Sequence, residues 1–143
     1  PPKPPRPAGS IYTPRTPPPP LHPDTISGRR EYETCKFNPD GTKDWTKLLG
    51  TSLEEWASAL TTGLDGSIYI AGSTDSDLDG QIKSGYFYDA FISKFSPDGT
   101  KKWTRLLGTS DNELGEALTT GSDGSIYIAG TTGGDLDGQI NNF

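Results

Sequence analysis

The chain is poor in the residues from which catalytic and metal centres are usually built. It has no methionine, one cysteine and one histidine among 143 residues. Cys35 cannot form an internal disulfide, and its neighbours offer no CxxC or metal-ligand spacing. His22 lies among prolines with no nucleophile nearby, and no P-loop, HExxH or G-x-S-x-G motif occurs. These absences predict that the protein is not an enzyme.

Apolar residues are also scarce. Hydrophobic residues make up 30% of the chain, and the mean hydropathy is −0.63. The longest apolar runs are as short as IYIAG, well below the roughly 18 residues that a bilayer span requires, so no membrane span is predicted. No segment has the 3.6-residue periodicity of an amphipathic helix, which predicts almost no helix.

Proline and positive charge are concentrated at the N-terminus. Eleven of the 13 prolines lie in the first 23 residues, and residues 1–30 carry a net charge of +4. The remaining residues must then carry −10 to give the net charge of −6. Residues 1–30 are therefore predicted to be an extended proline-rich arm, either solvated or docked on the acidic body of a neighbouring copy. No basic stripe with aromatics occurs, so no nucleic-acid partner is predicted.

An internal repeat determines the predicted architecture of residues 31–143. Residues 37–85 recur as residues 95–143 at an offset of 58, with 34 of 49 positions identical. Within each repeat, short β-type runs are joined by Asp-Gly turns, as where Leu64-Asp65-Gly66 links WASALTTG to SIYIAGST. We therefore predict an all-β fold with two 58-residue repeats that form antiparallel four-stranded, propeller-like blades.

The repeat also resembles a known family. The order DAFISKFSPDGTKKWTRLLGTS followed by ALTTGSDGSIYIAGTT is similar to the bacterial β-propeller repeat, often called the SBBP repeat. The resemblance extends from Glu31 to the C-terminus and leaves the arm outside. It implies an extracellular or cell-surface protein, and a scaffold or binding platform.

The phase of the repeat predicts a half blade, a full blade and a second half blade. Residues 31–37 and 43–50 form the outer pair of one blade, residues 57–108 form a complete blade, and residues 115–132 form the inner pair of another. Two repeats cannot close a propeller. One hypothesis is therefore a structural subunit whose copies complete each other's blades head to tail, in an even-bladed ring or a helical filament. The alternative is a fragment of a larger secreted or surface propeller that binds a ligand or carbohydrate.

The head-to-tail hypothesis assigns a set of residues to the subunit interface. They belong to the first β-type run, to the last SIYIAG run and to the C-terminus: Tyr32, Thr34, Cys35, Phe37, Ile126, Ile128 and Phe143.

An aspartate-rich loop is the best candidate for a metal site. Asp75, Asp77 and Asp79 alternate in DSDLDG, a spacing that suits the oxygen ligands of Ca²⁺. The second repeat keeps Asp135 and Asp137 but loses the first aspartate. The competing interpretation is that these carboxylates cap their own backbone N–H groups.

Two further sets of side chains invite a functional interpretation. Trp45, Trp56 and Trp103 could form a sugar-binding surface, although the first and third occupy the same repeat position, which favours packing between blades. Glu54 and Glu55 are predicted to form a solvated strand end.

Overall fold

The computed structural model of the chain describes residues 31–142; the proline-rich arm, His22 and Phe143 lie outside them. The described residues form eight strands and no helix, which confirms the all-β prediction. These residues accordingly contain no helix that is long and apolar enough to cross a membrane. The strands are β1 (Tyr32–Phe37), β2 (Lys43–Leu49), β3 (Glu55–Thr62), β4 (Ile68–Thr74), β5 (Asp89–Phe95), β6 (Lys101–Leu107), β7 (Glu113–Thr120) and β8 (Ile126–Thr132).

The strands form three antiparallel sheets in chain order. β1 and β2 form the N-terminal sheet, β3 to β6 form the middle sheet, and β7 and β8 form the C-terminal sheet. Tight turns close the hairpins where Asp-Gly predicted them. In one such turn, Gly66 has φ 79°, a conformation that glycine adopts without strain, and Asp65 accepts a 3.0 Å hydrogen bond from the backbone N–H of Ser67.

Strand irregularities recur at equivalent positions of the two repeats. The β3–β4 register shifts between Ala57 and Ala59, and the β7–β8 register shifts between Gly115 and Ala117. The β1–β2 and β5–β6 pairs shift at Lys36/Phe37 and Lys94/Phe95, again 58 residues apart. Bulges of this kind bend and twist a strand. β1–β2 is therefore a local equivalent of β5–β6, and β7–β8 is a local equivalent of β3–β4.

The middle sheet is covered on both faces. On one face it packs against the N-terminal sheet, where the ring of Tyr32 stacks on that of Phe91 with centroids 5.1 Å apart. On the other face β7 packs against β3, β4 and β5. The backbone N–H of Gly115 there donates a 3.3 Å hydrogen bond to Ser73 Oγ. We call the buried residues of the first face the core cluster: Tyr32, Ile70, Leu78, Phe91 and Phe95.

Candidate functional site

Two open strand edges form the candidate site. In the middle sheet, β4 pairs with β5 through seven residue pairs, from Ile68 opposite Phe95 to Thr74 opposite Asp89. β8 is the equivalent of β4, yet within residues 31–142 it pairs only with β7. β1 is the equivalent of β5, and in the same part of the chain it pairs only with β2. Exposed edges carry unpaired backbone groups that can bind a further strand.

A groove lies beside the open edge of β8. Its volume is about 180 Å³. We call it the β8 groove, and the residues of its lining used below are Ala90, Leu107, Ile128, Gly130 and Leu136. Ala90 and Leu107 come from β5 and β6 of the middle sheet, and the last three come from β8 and the loop after it. The groove therefore lies between the middle and C-terminal sheets, at the place where the C-terminal sheet has two strands and its neighbour has four.

The predicted interface residues occupy different environments. Tyr32 is buried against Phe91 within the chain. Cys35 is exposed and lies 3.4 Å from Thr46 Oγ1, while Phe37 is 59% exposed. Thr34, Ile126 and Ile128 are half-buried, and Phe143 lies outside the described residues. Their part in a contact between copies stays a prediction.

The aspartates of the DSDLDG loop have separate partners. Asp77 Oδ1 accepts a 2.8 Å hydrogen bond from the backbone N–H of Lys83, and Asp75 lies 3.8 Å from Lys83 Nζ. Asp79 instead accepts bonds of 2.7 and 2.8 Å from Lys101 Nζ. Within residues 31–142, no group of three or more His, Cys, Asp or Glu side chains is placed to hold a metal ion. As placed, these carboxylates do not fit one Ca²⁺, which favours capping over the predicted calcium site; metal titration decides between the two.

Asp79 joins the loop after β4 to the last strand of the middle sheet. Its carboxylate accepts hydrogen bonds from Lys101 and from Thr104 Oγ1, both on β6. Burial opposes ionisation of Asp79, but these bonds outweigh it and hold the pKa of the carboxyl below its usual value. Asp137 has nearly the same backbone conformation, with φ 50° against 51° for Asp79. It has no ion-pair or hydrogen-bond partner among the described residues, where no β6-type strand follows β8.

Asp135 behaves like its equivalent in the first repeat. Its Oδ1 accepts a 2.7 Å hydrogen bond from the backbone N–H of Asn141, as Asp77 does from Lys83. Both contacts are side-chain to backbone bonds within the loop. They support the capping interpretation of these two aspartates.

Glu55 corrects the prediction of a solvated strand end, because its side chain is fully buried. It accepts hydrogen bonds of 2.9 and 2.6 Å from the backbone N–H and Oγ1 of Thr51, and one of 2.6 Å from Ser76 Oγ. Glu54 is also engaged, since Tyr88 Oη donates to it at 2.9 Å. The loop after β2 folds back over the carboxylate, so the charge is satisfied by protein rather than by water.

The second repeat builds the same carboxylate centre. Glu113 is 1% exposed and accepts bonds of 2.6 and 2.7 Å from the N–H and Oγ1 of Thr109. A threonine four residues before a glutamate in both repeats was the sequence signal for these centres. Each centre fixes the connection between one sheet and the next, since Thr51 follows β2 and Glu55 begins β3.

The tryptophans contact separate partners. Trp45 Nε1 donates a 3.4 Å hydrogen bond to the carbonyl of Pro97, in the turn between β5 and β6 of the adjacent sheet. The rings of Trp103 and Tyr69 lie 6.0 Å apart, and those of Trp56 and Tyr88 lie 4.6 Å apart. The Trp45 contact supports the packing interpretation over a shared sugar-binding surface.

Part of the chain matches a known protein family. Residues 102–137, from β6 to the loop after β8, match the family described as Beta-propeller repeat, SBBP. Residues 102–137 carry an SBBP β-propeller repeat. The resemblance predicted from the sequence is therefore confirmed over these residues.

Two curated proteins are similar over most of the chain. One is the Regulatory protein FlaEY of Caulobacter vibrioides, 26% identical over an alignment of 122 positions that covers 80% of this chain and 13% of that protein. The other is the Uncharacterized WD repeat-containing protein L264 of Acanthamoeba polyphaga mimivirus, 27% identical over an alignment of 126 positions that covers 77% of this chain and 9% of that protein. The chain thus spans about a tenth of the length of each relative.

Proposed function

We propose that this SBBP chain is a structural unit of a β-propeller in which the N-terminal and C-terminal sheets are half blades. The observation that carries the proposal is the β4–β5 pairing of the middle sheet. The equivalent edges, on β8 and β1, have no partner strand within residues 31–142. Each half blade is completed by strands of another repeat.

The two half blades are of opposite type. β1–β2 corresponds to the second half of the middle sheet, and β7–β8 corresponds to its first half. A propeller takes about four to eight blades, so one complete sheet and two halves are too few to close. The unit therefore acts through its edges, as a scaffold joined to neighbours on both sides.

Asp137 supports completion of the C-terminal sheet. In the middle sheet the equivalent Asp79 is held by Lys101 and Thr104 of β6. A β6-type strand added to the C-terminal sheet would bring the same two donors to Asp137. The backbone of Asp137 already has the conformation in which Asp79 receives them.

The missing strands have two candidate sources. The first is a second copy of the chain, joined head to tail in a ring or filament with the proline-rich arm docked on the neighbour; the opposite type of the two half blades favours it. The second is further repeats of a longer chain, which the 13% and 9% coverage of the relatives favours. On the family resemblance, we also propose an extracellular or cell-surface location and a non-enzymatic role.

Extending the repeat tests the scaffold proposal. The sequence of residues 86–107 is appended after Phe143, where the 58-residue offset places it. Hydrogen exchange of the β8 amides should slow, and thermal unfolding should shift upward, because the appended hairpin pairs with the open edge. A control carries proline in place of the Ile92 equivalent, which removes a ladder hydrogen bond. Unchanged exchange at β8 in the extended chain would refute the proposal.

Mass measurement separates the two sources. Light scattering of the original chain over a range of concentrations reports whether copies associate, and a variant without residues 1–30 reports whether the arm contributes. A mass that rises with concentration, and rises less when the arm is deleted, would support the second copy. A constant mass near 15.3 kDa would leave further repeats as the source.

A further inference from the structure

The β8 groove is a partly built copy of the core cluster. At an offset of 58 residues, Ala90 is the equivalent of Tyr32, Ile128 that of Ile70, and Leu136 that of Leu78. All three equivalents line the groove. Ile70 and Leu78 are 2% and 1% exposed, whereas their equivalents are only half-buried.

Two members of the cluster have no equivalent in the groove. Phe91 and Phe95 are 0% and 2% exposed and both come from β5. Within the part of the chain that the structure describes, no β5-type strand pairs with β8. The groove therefore lacks the two aromatic side chains that fill the core cluster.

The position of the missing side chains follows from strand pairing. Phe91 lies opposite Gly72 in the β4–β5 ladder, and Gly130 is the equivalent of Gly72. Gly130 lines the groove, so a strand paired with β8 in the same register would place its Phe91 equivalent there. An enclosed cavity of about 150 Å³ lined by apolar residues accepts a benzene ring, and the open groove, at about 180 Å³, has room for an aromatic ring.

Two strands of this chain are of the β5 type, namely β5 and β1, and only β5 carries an aromatic residue at that position. β5 has Phe91, whereas β1 has Glu33 at the equivalent place. Glu33 is exposed at present. In the groove its carboxylate would meet Leu107 and Ile128, with the buried Glu113 also in the lining. Burying a second, unpaired carboxylate there is unfavourable.

Resting on the scaffold proposal, we infer that the open edge of β8 binds a β-hairpin of the β5–β6 type from an adjoining repeat. The hairpin inserts an aromatic side chain, the equivalent of Phe91, into the β8 groove. β1 of a second copy does not fill this place. The partner is therefore defined by an apolar residue at one strand position as well as by backbone pairing.

Variants of the extended chain test the inference. In the appended hairpin, the Phe91 equivalent is changed to Glu or to Leu. A matched control changes the Tyr86 equivalent to Glu, since Tyr86 is 94% exposed in the middle sheet. A fourth chain carries the β1–β2 sequence, residues 31–49, in place of the β5–β6 sequence. The readout is the protection factor of the β8 amides by hydrogen exchange.

In the appended hairpin, we expect Glu in place of the Phe91 equivalent to lower the protection of the β8 amides by about 100-fold or more, from the cost of replacing a buried phenylalanine. Leu at the same position should retain most of the protection, and Glu in place of the Tyr86 equivalent should retain all of it. The β1–β2 sequence should protect β8 as poorly as the Glu variant.

Two outcomes overturn the inference while leaving the scaffold proposal intact. One is equal protection of β8 by the Phe and Glu hairpins. The other is concentration-dependent protection of β8 in the original chain, which would identify β1 of a second copy as the occupant. No protection by any hairpin would overturn both.

Discussion

Replacing Glu55 by glutamine should destabilise the fold more than its small change in shape suggests. Glu55 is 0% exposed. It accepts two bonds from Thr51, one of 2.6 Å from Ser76 Oγ and one of 3.2 Å from Thr74 Oγ1. A glutamine amide retains one acceptor oxygen but turns an NH₂ group toward donors. At least one donor then loses its acceptor, and the remaining bonds lose the help of the charge.

These losses set the expected magnitude. A buried donor left without an acceptor costs about 1–3 kcal/mol, and a hydrogen bond to a charged group is worth more than one to a neutral group. We expect Glu55→Gln to lower the free energy of unfolding by about 2–3 kcal/mol at pH 7. Burial opposes ionisation of Glu55, but the bonds from Ser76, Thr51 and Thr74 hold its pKa below the ordinary 4.5. The stabilisation is therefore present above pH 4.5 and is lost as the pH falls through the folded-state pKa.

Urea unfolding followed by tryptophan fluorescence measures the effect at pH 7 and at acid pH. Glu116→Gln is the matched control, because Glu116 is exposed on β7. The difference between the Glu55 variant and the original chain should shrink toward acid pH, since both then carry a neutral side chain. A loss within about 0.5 kcal/mol of the control, with no dependence on pH, would refute this account of the Glu55 centre.

Three further predictions concern Gly72, Asp89 and the aspartate loop. Gly72→Ala should cost about 3 kcal/mol in urea unfolding, because a Cβ there would lie 1.9 Å from the carbonyl oxygen of Trp56; near-neutrality would contradict it. Burial raises the pKa of Asp89, whose Oδ1 has no hydrogen-bond partner among residues 31–142. Its charge therefore destabilises the fold as the pH rises above 3.8. Asp89→Asn should gain about 1 kcal/mol at pH 7 and nothing at low pH; an equal gain at both would exclude the charge as cause. Calorimetry in about 1 mM Ca²⁺ should show an unchanged unfolding temperature, whereas a rise abolished by Asp77→Asn would establish calcium binding.

The strands were predictable because their signals are local. Alternating apolar residues and Asp-Gly turns predicted a strand at Ser67–Thr74, and β4 is Ile68–Thr74. The predicted outer pair, residues 31–37 and 43–50, differs from β1 and β2 by one residue at one end of each strand. A glycine in a tight turn and a period of two are properties of a few neighbouring residues, and the sequence displays them directly.

The candidate site depended on contacts that no local pattern shows. Alternate spacing suggested that Asp75, Asp77 and Asp79 share a cation, but Asp79 is held by Lys101, 22 residues away on another strand. In the sequence, Glu55 is only a charged residue at a strand end. In the fold, Ser76, 21 residues away in the sequence, donates a hydrogen bond to it. The β8 groove appears only when the middle and C-terminal sheets are stacked. Such features arise from packing between segments, which the repeat pattern alone does not determine.

The middle sheet lies at different distances from its two neighbouring sheets. Gly115 of β7 approaches the middle sheet so closely that a Cβ there would lie 2.7 Å from the carbonyl oxygen of Gly72. At β5, by contrast, two aromatic rings separate the middle sheet from its other neighbour. Because the sheets are equivalent by repeat, an interface between two complete blades would combine the close contact at β4 with the wide contact at β5, and each blade would then be wedge-shaped. The size of the side chain at the Phe91 position would then set the angle of the wedge, and with it the number of repeats needed to complete a circle.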